Sequence, residues 1–215
     1  MKINFYAPLE ADNFFHIYNR GNDGIKIFYN EENYNYFLWK FDEYMSQFVS
    51  VYSYCLLINH FHFLVKVKNE KEIIQVVKEQ KNFTRIINKT TEEKEDIVAA
   101  IMSEQFRRFF MAYGKAINNQ TGRHGSLFTK RFRRIVIKDE SYLKRVVFYI
   151  HNNPVHHGIC PDLENYRWST YRKIISSKKS KLMKEEVIEC FEDKANYIFM
   201  HKSGFDTEDI SEIED

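Results

Sequence analysis

The chain has 215 residues, with 32 Lys+Arg against 30 Asp+Glu, 44% hydrophobic residues and 16% aromatic residues. That composition excludes a disordered tail protein, and the length suits one domain with additions, enough to bury a real core. The net charge of +2 taken alone argues against a dedicated nucleic-acid binder, for which a strongly basic balance is expected.

The first element is the β-type run Phe14 to Tyr18, closed by the turn residues Asn19 to Gly24. From Glu31 to Phe48 the residues Tyr34, Phe37, Leu38, Phe41, Tyr44 and Met45 recur at three and four, the stripe of an amphipathic helix that should cover a sheet. Val49 to Val67 is rich in β-branched and aromatic residues and reads as two antiparallel strands turning at Asn59. Residues 70–103 are charged and helix-prone around a polar knot at Asn88 to Asp96, which predicts short helices about a surface excursion. Phe106, Phe109, Phe110, Tyr113 and Ile117 make a second helix stripe that ends at Asn118 to Gly122.

Arg131 to Lys138 is a basic strand, followed by Asp139 as N-cap and a helix SYLKRVVFYIHNN that must stop at Pro154. The order β-α-β-β-α-β-α around one antiparallel sheet predicts an α+β, ferredoxin-like sandwich. A last helix, about Glu185 to His201 with Val187, Phe191 and Ile198 inward, precedes an acidic tail. The expected division is therefore a main domain over 1–175 and a helix with tail over 176–215.

Apolar stretches such as Tyr54 to Ile58 and Phe109 to Tyr113 are far short of the ~20 residues that span a bilayer, and MKINFYAPLEADNFF lacks the apolar run of a secretory signal. Cys55, Cys160 and Cys190 are widely spaced, odd in number and without a CxxC. Such usage fits a reducing cytoplasm and argues against a zinc-thiolate site.

Three constellations could carry chemistry. His60-Phe61-His62 places two imidazoles on one face of a strand, where they can converge on one metal ion. In a chain with eight histidines an H-x-H also arises by chance, and a structural role is the plain alternative. Phe61, Phe63, Val65 and Val67 would be the buried face of that strand. Tyr149 and Asn153 lie four apart on one helix face, although a tyrosine is usually a packing residue and an Asn before proline a terminator. The third is the stretch from Glu104 to Lys173, with 14 Lys+Arg against 5 Asp+Glu. There Arg123, His124, Lys130, Arg131, Arg133, Arg134, Trp168 and Arg172 interleave phosphate-seeking cations with rings on which bases can stack. A solvated basic face is the alternative.

Taken together, HIYNRGND, NHFHFLVKV, GSLFTKRFRR and YIHNNPVHHG followed by DLENYRWSTYR resemble, in that order, a REP-associated tyrosine transposase, a branch of the single-tyrosine HUH transposases. The resemblance spans roughly residues 12–175. It implies the HUH fold, with His60 and His62 as the two HUH histidines, Tyr149 as the catalytic tyrosine and Asn153 as a third metal ligand. It further implies Mg²⁺ or Mn²⁺ as cofactor, single-stranded DNA with hairpins as partner, and a covalent 5′-phosphotyrosine that lets one site cut and rejoin. Arg20 and Arg145 join the basic residues above as DNA contacts. A homodimer and a monomer are both compatible with it, and no residue stands out as the base for Tyr149 among Lys144, Arg145 and His151. Two rivals remain: a non-catalytic hairpin-binding protein, and a metal-dependent RNA hydrolase on the same scaffold.

The net charge conceals two opposite regions. Residues 182–215 carry 3 Lys+Arg against 11 Asp+Glu, which nearly cancels the basic stretch before them. The tail is expected to be a solvated end or a competitor for the DNA-binding face.

Overall fold

A computed structural model of the chain describes residues 4–78, 96–129, 131–205 and 210. Most of the polar knot at 88–96, Lys130 and nearly all of the acidic tail fall outside these. In chain order the elements are β1 (Phe14–Arg20), α1 (Glu31–Met45), β2 (Val49–Leu57), β3 (His60–Val67), α2 (Glu70–Lys78), α3 (Ile97–Thr121), β4 (Arg133–Ile137), α4 (Glu140–His156), α5 (Tyr171–Ile175), α6 (Lys184–Cys190) and α7 (Lys194–Ser203). The four strands form one antiparallel sheet in the order β2-β3-β1-β4. This is the expected α+β sandwich.

Period-two alternation divides the strand residues between two faces, and both are covered. On the first, Phe15, Ile17, Phe61, Phe63 and Val65 meet Phe37 and Phe41 of α1 and Phe106 and Phe109 of α3 in one buried cluster. Stacked Phe41 and Phe63 rings, with centroids 4.2 Å apart, sit at its middle. On the second face Cys55, Leu57 and Leu64 meet Val146, Val147, Tyr149 and Ile150 of α4. His62 is on this second face and only 1% exposed. The reading of one buried and one open side of β3 is thus corrected: α4 closes the histidine side.

Local chemistry starts and stops these helices. Asn30, Asp96 and Asp139 each accept a hydrogen bond from the backbone N–H three residues on, which satisfies an otherwise orphaned donor at the starts of α1, α3 and α4. Gly122, at φ 68°, ends α3. α3 begins at Ile97, so Val98, Ile101 and Met102 belong to the core helix and not to the excursion at 70–103.

Two helix limits differ from the sequence reading. Pro154 lies inside α4, which continues to His156. In the last turn a missing N–H removes a single helical bond, and His157 N–H to Asn153 O and Ile159 N–H to Pro154 O close the end. The last helix is two helices, because Glu192 takes φ 73° between α6 and α7, and Asp193 caps the second.

Both outer strands are covered by the same chain. Leu56 N–H bonds to Trp168 O, Thr170 N–H to Tyr54 O and Met183 N–H to Val51 O along β2, while Arg134 N–H bonds to Phe5 O along β4. The helices beyond residue 176 are not peripheral, since Val187, Phe191 and Tyr197 are buried in the cluster that holds Tyr149. Ile210, in the middle of the expected solvated tail, is fully buried there as well.

Candidate active site

Strand register builds the site. Tyr18 of β1 lies opposite His62 and Arg20 opposite His60, and Tyr18 also lies opposite Arg133 of β4. His16, Tyr18, Arg20, His60, His62 and Arg133 therefore share the face that α4 crosses. The β2–β3 turn that precedes His60 is pinned by Gly21, whose N–H bonds to Asn59 O at 2.7 Å, and by Ile27 and Phe28, whose N–H groups bond to Ile58 O. Gly21 is needed for this approach, because a Cβ there would lie 2.1 Å from Ile25 O.

The two histidines are oriented differently. His60 Nδ1 faces Asn59 Oδ1 at 2.7 Å, and its Nε2 faces Asn153 Oδ1 at 3.1 Å. With Nδ1–H donated to Asn59, Nε2 keeps a lone pair beside a second lone-pair donor, the Asn153 oxygen. Asn153 is fully buried, and its Nδ2 has no hydrogen-bond partner among the described residues. His62 turns Nδ1 to His16 Nε2 at 3.0 Å, which leaves Nε2 on the far side of the ring. Tyr18 stacks on both His16 and His62.

Tyr149 is brought to this cluster by α4. Its ring stands edge-on to His62 at 5.9 Å and to His16 at 6.1 Å between centroids. The ring is 3% exposed. The cleft beside it, of about 1020 Å³, is lined by His60, His62, Lys26, Arg20, Arg131 and Arg133, together with His156 and His157, but not by Tyr149. For attack on a phosphate in that cleft the phenol must turn outward, past the histidines.

His60, His62 and Asn153 fit a hard divalent ion to this extent: two imidazoles and an amide oxygen, with one imidazole nitrogen and the oxygen already converging. No group of three or more His, Cys, Asp or Glu among the described residues has metal-ligand spacing, so such an ion would be held by a mixed N,O set. His151, one of the residues considered as base, is committed elsewhere. It bonds to His201 at 3.0 Å and to Thr170 Oγ1 at 2.9 Å, and complete burial holds its pKa well below the usual imidazole value.

The other basic residues separate. Arg20, Arg131 and Arg133 reach the cleft lined by His60 and His62, whereas Arg123, His124 and Arg134 line a second cleft on the α3 side together with Arg131. Arg145 lies four residues before Tyr149 on α4, over the ring of Tyr142. Arg172 is exposed on α5. Trp168 packs on Tyr34 with centroids 4.4 Å apart and lines neither cleft. Lys130 lies outside the described residues. Residues the sequence reading missed are His16, Lys26 and His157, whose ring meets His60 at 4.8 Å. His16 had a signal: it is a polar residue in an apolar strand, two and four positions before Tyr18 and Arg20.

The fold and site together define a class, an antiparallel α+β sandwich in which helix α4, crossing one sheet face, lays a tyrosine against two strand histidines. Among solved structures the chain is similar to a REP-associated tyrosine transposase bound to a REP hairpin, with a TM-score of 0.56 and 14% identity over 82% of this chain and 87% of that one. At that identity the likeness carries the fold, and the α+β expectation is met. No family model and no curated protein matches the sequence. No helix among the described residues is long and apolar enough to cross a membrane.

Proposed function

We propose that the protein is a DNA transposase, a metal-dependent nickase and strand transferase that acts on single-stranded DNA beside hairpins. The observation that carries this is the meeting, within one chain, of Tyr149 with His62 and of Asn153 with His60, the two histidines themselves lining a cation-rich cleft. The similar solved structure, a transposase holding a hairpin, supports it independently. We assign residues 1–175 to catalysis and treat 176–215 as an addition, of which Val187, Phe191 and Tyr197 share the buried cluster of the catalytic helix.

In this mechanism Arg20, Arg131 and Arg133 draw the DNA backbone into the cleft. Mg²⁺ or Mn²⁺ held by His60, His62 and Asn153 would polarise the scissile phosphate and offset its developing charge. Tyr149 turns its hydroxyl into the cleft, gives up its phenolic proton to solvent and attacks phosphorus. The bond from phosphorus to the 3′-oxygen breaks, that oxygen takes a proton, and the 5′ end stays on the tyrosine. A later 3′-OH attacks the same phosphorus, gives its proton to the tyrosyl oxygen and rejoins a strand with no external energy source.

The test is a labelled hairpin oligonucleotide incubated with Mn²⁺, followed by denaturing electrophoresis. Wild-type protein should carry the label covalently, and Tyr149→Phe should bind the hairpin without doing so. Label retained by the Phe variant removes Tyr149 from its role. Hairpin binding with no adduct in either protein favours a non-catalytic binder, and RNA cleavage without an adduct favours a hydrolase.

A further inference from the structure

The stretch 165–184 carries seven Lys and Arg and no Asp or Glu. Through Trp168, Thr170 and Met183 it is bonded along the outer edge of β2, from Leu56 to Val51. Just past one end of this edge stands Ile58, which lines the cleft of His60 and His62. At the other end the loop 176–183 holds Lys178, Lys179 and Lys181 in solvent.

That loop is built over a buried cation. Lys184 is only 9% exposed, and its Nζ donates to Ser176 O at 2.8 Å and to Lys178 O. Lys194 Nζ donates to Ile175 O at 2.7 Å, one residue before. Neither ammonium meets a carboxylate among the described residues, and Lys184 uses two of its three N–H donors. Carbonyl dipoles solvate a buried ammonium without cancelling its charge, and a buried charge calls for a counter-charge. The nearby carboxylates are committed elsewhere: Asp42 holds Lys181 at 2.7 Å, Glu31 holds Arg167 at 2.7 Å, and Glu186 accepts from Tyr52 Oη. Exposed Arg172, Lys178 and Lys179 form no ion pair among the described residues. The missing partner is an anion.

We propose that the 176–184 loop is a phosphodiester site that holds the backbone of the hairpin's duplex stem along the β2 edge. It rests on the hairpin-nicking function proposed above and gives the addition beyond residue 175 a part in it. From Ile58 back to Val51 the edge spans about 20 Å, part of the strand's rise being taken up by the irregularity between Val51 and Ser53. At about 3.4 Å per base pair, a stem whose foot lies at the cleft reaches the loop after about six base pairs. Lys178 and Lys179 meet its phosphates, and the charge of Lys184 beneath them strengthens the local field. A duplex suits this surface better than a single strand, because residues 176–184 contain no aromatic ring on which an unpaired base could stack.

The experiment measures affinity of the full chain, without divalent ion and across a salt series, for two hairpins that share foot and loop and have stems of about four and about ten base pairs. Wild-type protein should bind the long stem about tenfold more tightly at low salt. The double variant Lys178→Gln, Lys179→Gln should bring the long stem to within about twofold of the short one and lower its log–log salt slope by about 2. Its unchanged short-stem binding shows that it is folded. The long stem, and not the short one, should also protect Lys178 and Lys179 of wild-type protein from acetylation. A long-stem advantage kept by the double variant, or equal binding of both stems by wild type, overturns the proposal and leaves the hairpin function standing. Protection of the two lysines by inorganic phosphate but not by the long stem assigns the loop to a free anion and overturns it too. Failure to bind either hairpin removes the hairpin function itself, and the proposal with it.

Discussion

Replacing His201 by leucine should change how stability depends on pH more than it changes stability at neutral pH. His201 Nδ1 donates to Tyr197 O at 2.7 Å, so its Nε2 accepts from His151 Nδ1 at 3.0 Å, and His151 Nε2 in turn accepts from Thr170 Oγ1 at 2.9 Å. Every ring nitrogen is used, with both rings neutral. A proton added to His201 Nε2 would set two donors against each other. Burial pushes the pKa of His201 down to about 4 from 6.5. Between those values the unfolded chain binds a proton that the folded chain refuses. The stabilisation is therefore complete above about pH 6.5 and is lost as pH falls towards 4. At about 1.4 kcal/mol per pKa unit the loss is on the order of 3 kcal/mol in full, and about 2 kcal/mol by pH 5.

Near pH 7.5 the His201→Leu variant should be about 1–2 kcal/mol less stable than wild type, through the lost hydrogen bonds. By about pH 5 the gap should close, because only wild type has lost the imidazole's contribution while both have lost the same carboxylate contributions. Urea unfolding followed by the fluorescence of Trp39 and Trp168 reads this directly. A difference between the two proteins that stays constant within about 0.5 kcal/mol across that range would refute the assignment of neutral, mutually bonded rings.

His16→Phe should weaken Mn²⁺ binding about tenfold or more by freeing the His62 ring, and His16→Gln, which can still accept from Nδ1–H, should restore part of it; paramagnetic resonance of free Mn²⁺ measures both. Gly21→Ala should cost about 1–3 kcal/mol in thermal unfolding, since the new methyl meets a backbone carbonyl and displaces the turn that carries Asn59. Deletion of residues beyond His201 should lower stability, because it removes Ile210 from the core. Neutralising the acidic residues between 206 and 215 while keeping Ile210 is the better probe of charge, and should raise non-specific DNA affinity at low salt if the tail competes for the basic face; filter binding across a salt series measures it.

Much of the sandwich was legible from period alone. The stripes of Phe37 and Phe41, of Phe106 and Phe109, and of Val146 and Ile150 each mark the helix face that meets the sheet. Spacings of two on a strand and four on a helix placed His60 with His62, and Tyr149 with Asn153, on shared faces before any tertiary contact exists, while only the resemblance linked the two pairs. What escaped depends on pairing between distant strands. His16 joins His62 only through the β1–β3 register, and the cations at 131–134 look like one patch until alternation sends Arg133 to the histidine side and Arg134 to the α3 side. The burial of Ile210 likewise depends on distant packing, in the cluster that also holds Tyr149.

The covered sheet edges bear on how two copies could assemble. With Trp168, Thr170 and Met183 bonded along β2 and Phe5 bonded to Arg134 on β4, a second molecule could continue the sheet at these positions only by displacing the chain's own segments. Within one chain Tyr149 already meets His62. The chain's own segments therefore oppose growth of the sheet from one copy into another, and each copy holds its own Tyr149 beside its own His62.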